Sequence, residues 1–160
     1  MTAGTPSRRC KALLLGTALL AAPIQPATAG VAEDAQTLVE RAAAHIREVG
    51  PARAFADITR ADGGFVKGEL YVFCDAKDGT TLAHGGNPRQ VGKVMLGVRD
   101  ADGTAVIAEV FRVGQTQGRG WFEYKWPNPS TGRVQHKVTY VVKIDDETVC
   151  GSGYYRPDAP

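Results

Sequence analysis

Apolar residues between positions 31 and 49 recur at three- and four-residue spacing, which is the spacing of one face of an α-helix. Charged residues fill the opposite face, and Gly50 followed by Pro51 ends the pattern. The spacing predicts a long amphipathic helix over 31–49. A second, short helix is predicted from Pro51 to about Ile58, because proline suits the first turn of a helix. The apolar positions of the long helix are Val31, Ala35, Leu38, Val39, Ala42, Ile46 and Val49.

Beyond residue 68 the pattern changes to short apolar runs separated by turn residues, which is typical of β-strands. Residues 75–79 form a predicted turn, so the first two of these strands make a hairpin. Residues 104–116 are predicted to be a helix, because apolar residues there share one face. The last three strands follow one another directly, and this order favours an antiparallel meander. The predicted strands are 69–74, 80–84, 121–126, 133–144 and 148–155.

The order of these elements indicates an α+β fold. We expect one antiparallel sheet of about five strands, with a long N-terminal helix and a middle helical section packed on it. The chain of 160 residues allows one domain, over 30–156, and shows no internal repeat. Residues 157–160 are predicted to be a disordered tail.

The N-terminus has the pattern of a secretory signal peptide. Basic residues Arg8, Arg9 and Lys11 precede a short apolar run over 12–22, and Ala27-Thr28-Ala29 gives a small-residue cleavage site. The run is shorter than the ~20 apolar residues of a membrane span, although an uncleaved anchor is the alternative. We therefore expect cleavage near Ala29 and a periplasmic or secreted protein.

Cleavage would change the charge of the chain. The full sequence has 19 basic and 17 acidic residues, and removing the three basic residues of residues 1–29 leaves 16 against 17, a net charge of −1. No basic stripe then remains to bind a nucleic acid. The sequence also lacks the Gly-x-Ser-x-Gly, His-Glu-x-x-His and Cys-x-x-Cys motifs. We expect no enzymatic activity, no cofactor and no bound metal.

Two cysteines, Cys74 and Cys150, lie in predicted strands of the exported part. They would form a disulfide in an oxidising compartment if their strands are neighbours. Two buried free thiols are the alternative.

Strand alternation predicts an aromatic surface near the end of the chain. Phe122, Tyr124 and Trp126 share one face of their strand, whereas Lys125 lies on the other. His136 and Tyr140 share a face of the next strand, and pairing around the loop 127–132 would bring the two faces together. This surface is either the rim of an ordinary core or the wall of a site for a small polar ligand. His84, beside Gly85 and Gly86, is a further candidate pocket donor.

Three stretches together resemble the single Cache domain, type 2, an extracytoplasmic sensor module of bacterial chemoreceptors and histidine kinases. They are GELYVFCDAKDGTTLAHGGNPRQVGK at 68–93, GRGWFEYKWPNPSTGR at 118–133 and KVTYVVKIDDETVCGSGYY at 137–155. The resemblance implies a PAS-like sheet with a ligand pocket between the sheet and the middle section. Small organic acids are ligands associated with such domains. The implied ligand-binding residues are Tyr71, His84, Tyr124, Trp126, Lys137 and Tyr140.

Lys137 conflicts with this residue set, because alternation places it on the face opposite His136 and Tyr140. Either a bulge re-aims Lys137 or it lies outside the pocket. The resemblance also makes a Cys74–Cys150 disulfide possible, since the first and last strands of a PAS-like sheet are neighbours. The chain departs from the family pattern at Gly85-Gly86, where a proline is usual.

The sequence therefore predicts a periplasmic protein that binds or senses a small molecule, with a carboxylate as the expected ligand and a membrane-bound sensor or receptor as a candidate partner. No membrane-spanning segment or signalling domain follows Tyr155 in the sequence, which predicts a stand-alone form without a signalling domain of its own. The alternative is a protein-interaction module with a vestigial pocket that modulates a membrane sensor.

Overall fold

The computed structural model describes residues 1–2 and 27–157. Most of the predicted signal peptide, including its basic residues and its apolar run, lies outside the described residues, and so do the last three residues of the predicted tail. Within the described part, no helix is both long enough and apolar enough to cross a membrane.

Both predicted N-terminal helices are confirmed. Helix α1 spans Ala27–Val49 and helix α2 spans Pro51–Thr59, with Pro51 in the first turn of α2. Gly50 separates them with a φ of 82°, a left-handed conformation that favours glycine. The predicted apolar face of α1 is buried along most of its length, whereas Val31 and Val49 at its ends are exposed.

In the described part of the chain, one antiparallel sheet of six strands follows. The strands are β1 (Val66–Lys67), β2 (Leu70–Ala76), β3 (Thr81–His84), β4 (Arg119–Pro127), β5 (Val134–Lys143) and β6 (Thr148–Tyr155). Their order in the sheet is β1-β2-β6-β5-β4, and β3 pairs with β2 on the edge opposite β6. The predicted α+β fold is therefore confirmed, with one strand more than expected. That strand, β1, has two residues and pairs only with the start of β2, so no alternation could predict it. Helix α3 spans Val106–Gln117, close to the predicted middle helix.

The sheet separates two hydrophobic cores. Helices α1 and α2 pack on one face, against side chains that include Leu70, Val72 and Tyr140. Helix α3 packs on the other face, against side chains that include Phe73 and Val141. We call these the α1 face and the α3 face of the sheet.

Cys74 and Cys150 lie directly opposite each other on the neighbouring strands β2 and β6. Their sulfur atoms are 2.04 Å apart and form a disulfide, which is fully buried in the core on the α1 face. The bridge links the first long strand of the sheet to the last strand.

Candidate functional site

The register between β4 and β5 decides which side chains share a face. Tyr124 lies directly opposite Lys137, and Trp126 lies opposite Gln135. Residues opposite each other in an antiparallel pair point to the same face. Lys137 therefore joins Tyr124 on the α3 face without any bulge between β4 and β5. The conflict over Lys137 is thus resolved, and the predicted surface that joined Phe122, Tyr124 and Trp126 to His136 and Tyr140 is wrong.

Tyr140 lies on the α1 face instead. Its ring packs 4.9 Å from the ring of Trp121, which is its partner in the register, and it belongs to the core that contains the disulfide. His136 pairs with Lys125 and is exposed. The sheet therefore separates Tyr140 from the other five predicted site residues.

A small cavity lies between the α3 face and helix α3. Its lining includes four predicted site residues, namely His84, Tyr124, Trp126 and Lys137. The cavity volume is about 10 Å³, which is room for about one water molecule.

A second space, which we call the outer cleft, adjoins the cavity and has a volume of about 310 Å³. Tyr71, the fifth predicted site residue, lines the outer cleft together with Asn87 and Pro129. His84, Gln90 and Trp126 line both spaces, so these three side chains form the boundary between the cleft and the cavity.

Lys137 supplies the positive charge of the cavity. Its side chain is fully buried, and its ammonium nitrogen lies 3.8 Å from the ring centre of Tyr71 and 5.1 Å from that of Phe73. These are cation–π contacts. Among the described residues Lys137 forms no salt bridge. Burial lowers the pKa of Lys137 well below its usual value, and the charge of Asp75 opposes this shift only in part.

His84 is held as a neutral hydrogen-bonding group. Its Nδ1 accepts a hydrogen bond of 2.9 Å from the backbone N–H of Asn87, which leaves the proton of the neutral ring on Nε2. Burial first, and then the charge of Lys137, lower the pKa of His84 to about 3. The ring is therefore uncharged at physiological pH and offers one N–H donor.

Asp75 is a cavity residue that the sequence analysis assigned to a turn. Its side chain is 1% exposed, and it lies opposite Thr81 at a β-bulge between β2 and β3. Burial raises the pKa of Asp75 to about 7, while a hydrogen bond from Thr81 and the charge of Lys137 act in the opposite direction. Alternation in the sequence could have assigned Asp75 to the site, because Tyr71, Phe73 and Asp75 share one face of their strand.

Hydrogen bonds between tyrosines fix the edge of the outer cleft. The Tyr155 hydroxyl donates to the carbonyl oxygen of Pro127 at 2.9 Å and is 3.0 Å from the Tyr71 hydroxyl. Since Tyr155 donates to Pro127, it accepts from Tyr71. Tyr155 was not predicted as a site residue. The two hydroxyls tie the Trp-Pro segment of β4 to β2 and β6.

Two glycines leave space for the aromatic rings of the site. A Cβ atom on Gly151 would lie 2.6 Å from the ring of Phe73, and one on Gly86 would lie 2.7 Å from the ring of Tyr71. Both distances are too short for carbon atoms that are not bonded. Gly86 thus gives a physical reason for the departure from the family pattern at 85–86, because the loop packs directly on Tyr71.

The chemistry of the cavity suits an anion held by hydrogen bonds. It combines a buried ammonium group, an imidazole N–H donor and aromatic walls. Within the described residues no group of three or more His, Cys, Asp or Glu side chains is placed to hold a metal ion.

A PAS-like sheet with a small polar cavity on one face is the architecture of an extracytoplasmic sensor domain. Residues 31–159 match the family model of the Single Cache domain 2, and the chain belongs to this family. Its relatives are sensor domains of chemoreceptors, together with a sensor histidine kinase. The resemblance that the three sequence stretches indicated is confirmed.

Two curated relatives are sensory proteins. The chain is 36% identical over 89 residues to the sensor histidine kinase MctS of Rhizobium johnstonii. It is 30% identical over 78 residues to the methyl-accepting chemotaxis protein McpP of Pseudomonas putida. The aligned regions cover 55% and 48% of this chain but only 19% and 14% of these relatives.

Solved structures show the same fold. A methyl-accepting chemotaxis protein of Vibrio parahaemolyticus superposes with a TM-score of 0.63 at 18% identity, covering 80% of this chain and 90% of that one. A Cache chemosensory domain solved as the structural basis for carboxylic acid recognition superposes with a TM-score of 0.61 at 26% identity, covering 81% of this chain and 86% of that one. The fold is thus that of the sensor domains of chemoreceptors.

Proposed function

We propose that this domain binds a small organic carboxylate in the cavity between the sheet and α3. The observation that carries the proposal is Lys137, a fully buried lysine without a salt bridge in the described part of the chain. A buried cation without a salt bridge is costly, and a ligand carboxylate would form one with it. The carboxylic acid recognition described for a Cache domain of the same fold supports this assignment.

The binding step requires the cavity to open. Its present volume of about 10 Å³ is too small for a carboxylic acid, whereas the outer cleft of about 310 Å³ is large enough for one. The ligand would enter the outer cleft and move His84, Gln90 and Trp126 apart to reach Lys137. The Nε2–H group of His84 and the indole N–H of Trp126 would then be available to orient the ligand.

Calorimetric titration with acetate and propionate tests the proposal. We expect saturable binding to the wild type and a loss of about 100-fold or more in the Lys137→Met variant, since truncating one partner of a buried charge pair costs about 3 kcal/mol or more. The variant should remain folded, because methionine fills most of the same volume without a buried charge.

Lys125→Met is the matched control. Lys125 is the neighbour of Tyr124 in β4, but it belongs to the opposite face and its Nζ pairs with Asp102 Oδ1 at 2.8 Å. This variant should bind like the wild type. Absence of binding by any small acid, or equal binding by the Lys137→Met variant, would contradict the proposal.

The second candidate function is a protein-interaction module with a vestigial pocket. The small volume of the cavity favours it, because the domain's own side chains nearly fill the space. In that case no acid would raise the melting temperature, and a membrane sensor would be captured without any added metabolite. A ligand-dependent rise in melting temperature supports the binding function instead.

The cellular setting follows from the same proposal. Members of this family sense ligands outside the cytoplasm, and we propose export of the protein with cleavage near Ala29. Helix α1 begins at Ala27, so cleavage would remove only the first three residues of the helix. A membrane-bound sensor or receptor is the proposed partner, since the relatives are a sensor kinase and a chemotaxis protein.

A further inference from the structure

The carboxyl group of Asp75 has a polar atom that a simple carboxylic acid would leave without a partner. Asp75 is 1% exposed, and its Oδ2 makes no hydrogen bond with the described part of the protein. The side chain lines the same cavity as Lys137. A buried acceptor without a donor destabilises the state that contains it, so a bound ligand would be favoured if it supplied a donor there.

A ligand carboxylate alone cannot be that donor. It would pair with the ammonium group of Lys137 but would repel an ionised carboxylate at Asp75, because like charges in a buried site disfavour each other. A hydroxyl or ammonium group on the ligand would instead donate a hydrogen bond to the free oxygen of Asp75. Lys137 and Asp75 together therefore present a cation and a hydrogen-bond acceptor to the ligand.

The shared cavity brings Asp75 and Lys137 close together. Asp75 and Lys137 both line a space that holds about one water molecule. A small ligand whose carboxylate reaches Lys137 would meet Asp75 with a donor that lies close to that carboxylate. Such molecules are 2-hydroxy and 2-amino carboxylates.

We infer that Asp75 is a specificity-determining residue, which selects carboxylates with a hydrogen-bond donor on the adjacent carbon over unsubstituted acids. The inference rests on the proposed function of the cavity as a carboxylate site. It is not needed for that function, since Lys137 alone would explain the binding of any small acid.

Calorimetry with three acids of equal carbon number tests the inference in the wild-type protein. L-lactate carries a hydroxyl and L-alanine an ammonium group where propionate carries only hydrogen. We expect both L-lactate and L-alanine to bind roughly tenfold more tightly than propionate, which is the effect of one hydrogen bond to a buried acceptor. Equal binding of all three acids, or a preference for propionate, would overturn the inference and leave carboxylate binding intact. If no acid binds, the proposed function fails as well.

Two substitutions at Asp75 assign the preference to this residue. Asp75→Leu removes the acceptor at similar size and should abolish the preference for both donor-bearing acids over propionate. Asp75→Asn keeps a neutral acceptor, so it should retain a preference for L-lactate and lose one for L-alanine. The ratio of affinities is compared within each variant, so a general weakening of binding cancels.

A preference for donor-bearing acids that persists in both variants would overturn the assignment to Asp75. If Asp75→Leu does not fold, as followed by circular dichroism, the Asp75→Asn variant decides alone. Loss of the L-alanine preference in that variant supports the inference, and an unchanged preference contradicts it.

Discussion

In the proposed function, Lys137 would link the stability of the protein to a bound anion. The side chain is fully buried, and its ammonium group lies against the rings of Tyr71, Phe73 and Tyr155. Cation–π contacts offset only part of the cost of removing a charge from water. Part of the desolvation cost of Lys137 therefore stays uncompensated in the ligand-free protein. An anion that reached Lys137 would offset this cost and so stabilise the folded chain as it binds.

His84 gives the protein a pH dependence of stability that can be measured. Its folded-state pKa of about 3 lies below the ordinary value of 6.5, so the unfolded chain binds a proton more readily than the folded one. The stability from neutral His84 is complete above pH 6.5 and is lost as the pH falls toward 3. We expect the free energy of unfolding in urea to fall by about 2 kcal/mol between pH 6.5 and about pH 4.5 because of this residue.

The His84→Asn variant should lose this part of the pH dependence. Asparagine still offers an acceptor for the backbone N–H of Asn87, so the loop geometry is preserved. His136→Asn is the control, because His136 is exposed on β5, and it should keep the wild-type dependence. The same slope in wild type and His84→Asn would show that His84 is not buried in the neutral form.

At the scale of elements, apolar spacing and turn residues predict the three α-helices and five of the six strands in the described part of the chain, because these signals report local conformation. It does not report strand register. The structure pairs Pro127 with Val134, so that Tyr124 meets Lys137. A shift of one residue would have put His136 and Tyr140 on the α3 face instead.

The loop between β4 and β5 holds this register through contacts that no local pattern reveals. Asn128 is 1% exposed, and its backbone N–H donates to the carbonyl of Arg133. Its side-chain Nδ2 donates to Glu69 Oε1 at 2.8 Å, which anchors the loop to a distant part of the chain. The sequence therefore predicts which types of residue form the candidate site. It does not predict which faces of neighbouring strands come together.

The disulfide between β2 and β6 is a second element-scale feature with a measurable consequence. Thiol labelling of the denatured, unreduced protein should find no free thiol at Cys74 or Cys150. The bridge closes a separation of 76 residues, and loop-closure entropy assigns such a loop a stabilisation of about 4.5 kcal/mol. The Cys74→Ala/Cys150→Ala variant should lose stability by that order in urea unfolding.

Measuring ligand affinity distinguishes a role of the disulfide in stability from a role in ligand binding. The disulfide lies in the core on the α1 face, whereas the cavity lies on the α3 face. The double variant should therefore bind carboxylates within about threefold of wild type at a temperature where both are folded. Labelling of both cysteines in the unreduced protein would contradict the bridge.

At the scale of the whole molecule, the two faces of the sheet have different roles. On the α1 face, two helices and the disulfide pack into an apolar core that supports the sheet. The α3 face carries buried polar groups, the cavity and the outer cleft. This division suits a sensor domain, in which one side preserves the fold while the other exchanges ligand.

The proposed carboxylate would occupy the cavity beside Lys137. A crystal structure of the protein with propionate or L-lactate tests this claim most directly. We predict that the ligand lies between the sheet and α3, with its carboxylate within hydrogen-bond distance of Lys137 Nζ and with His84, Gln90 and Trp126 displaced outward. A carboxylate bound instead in the groove lined by Val31, Leu70 and Tyr154, or a cavity that stays closed at saturating ligand, would contradict the claim.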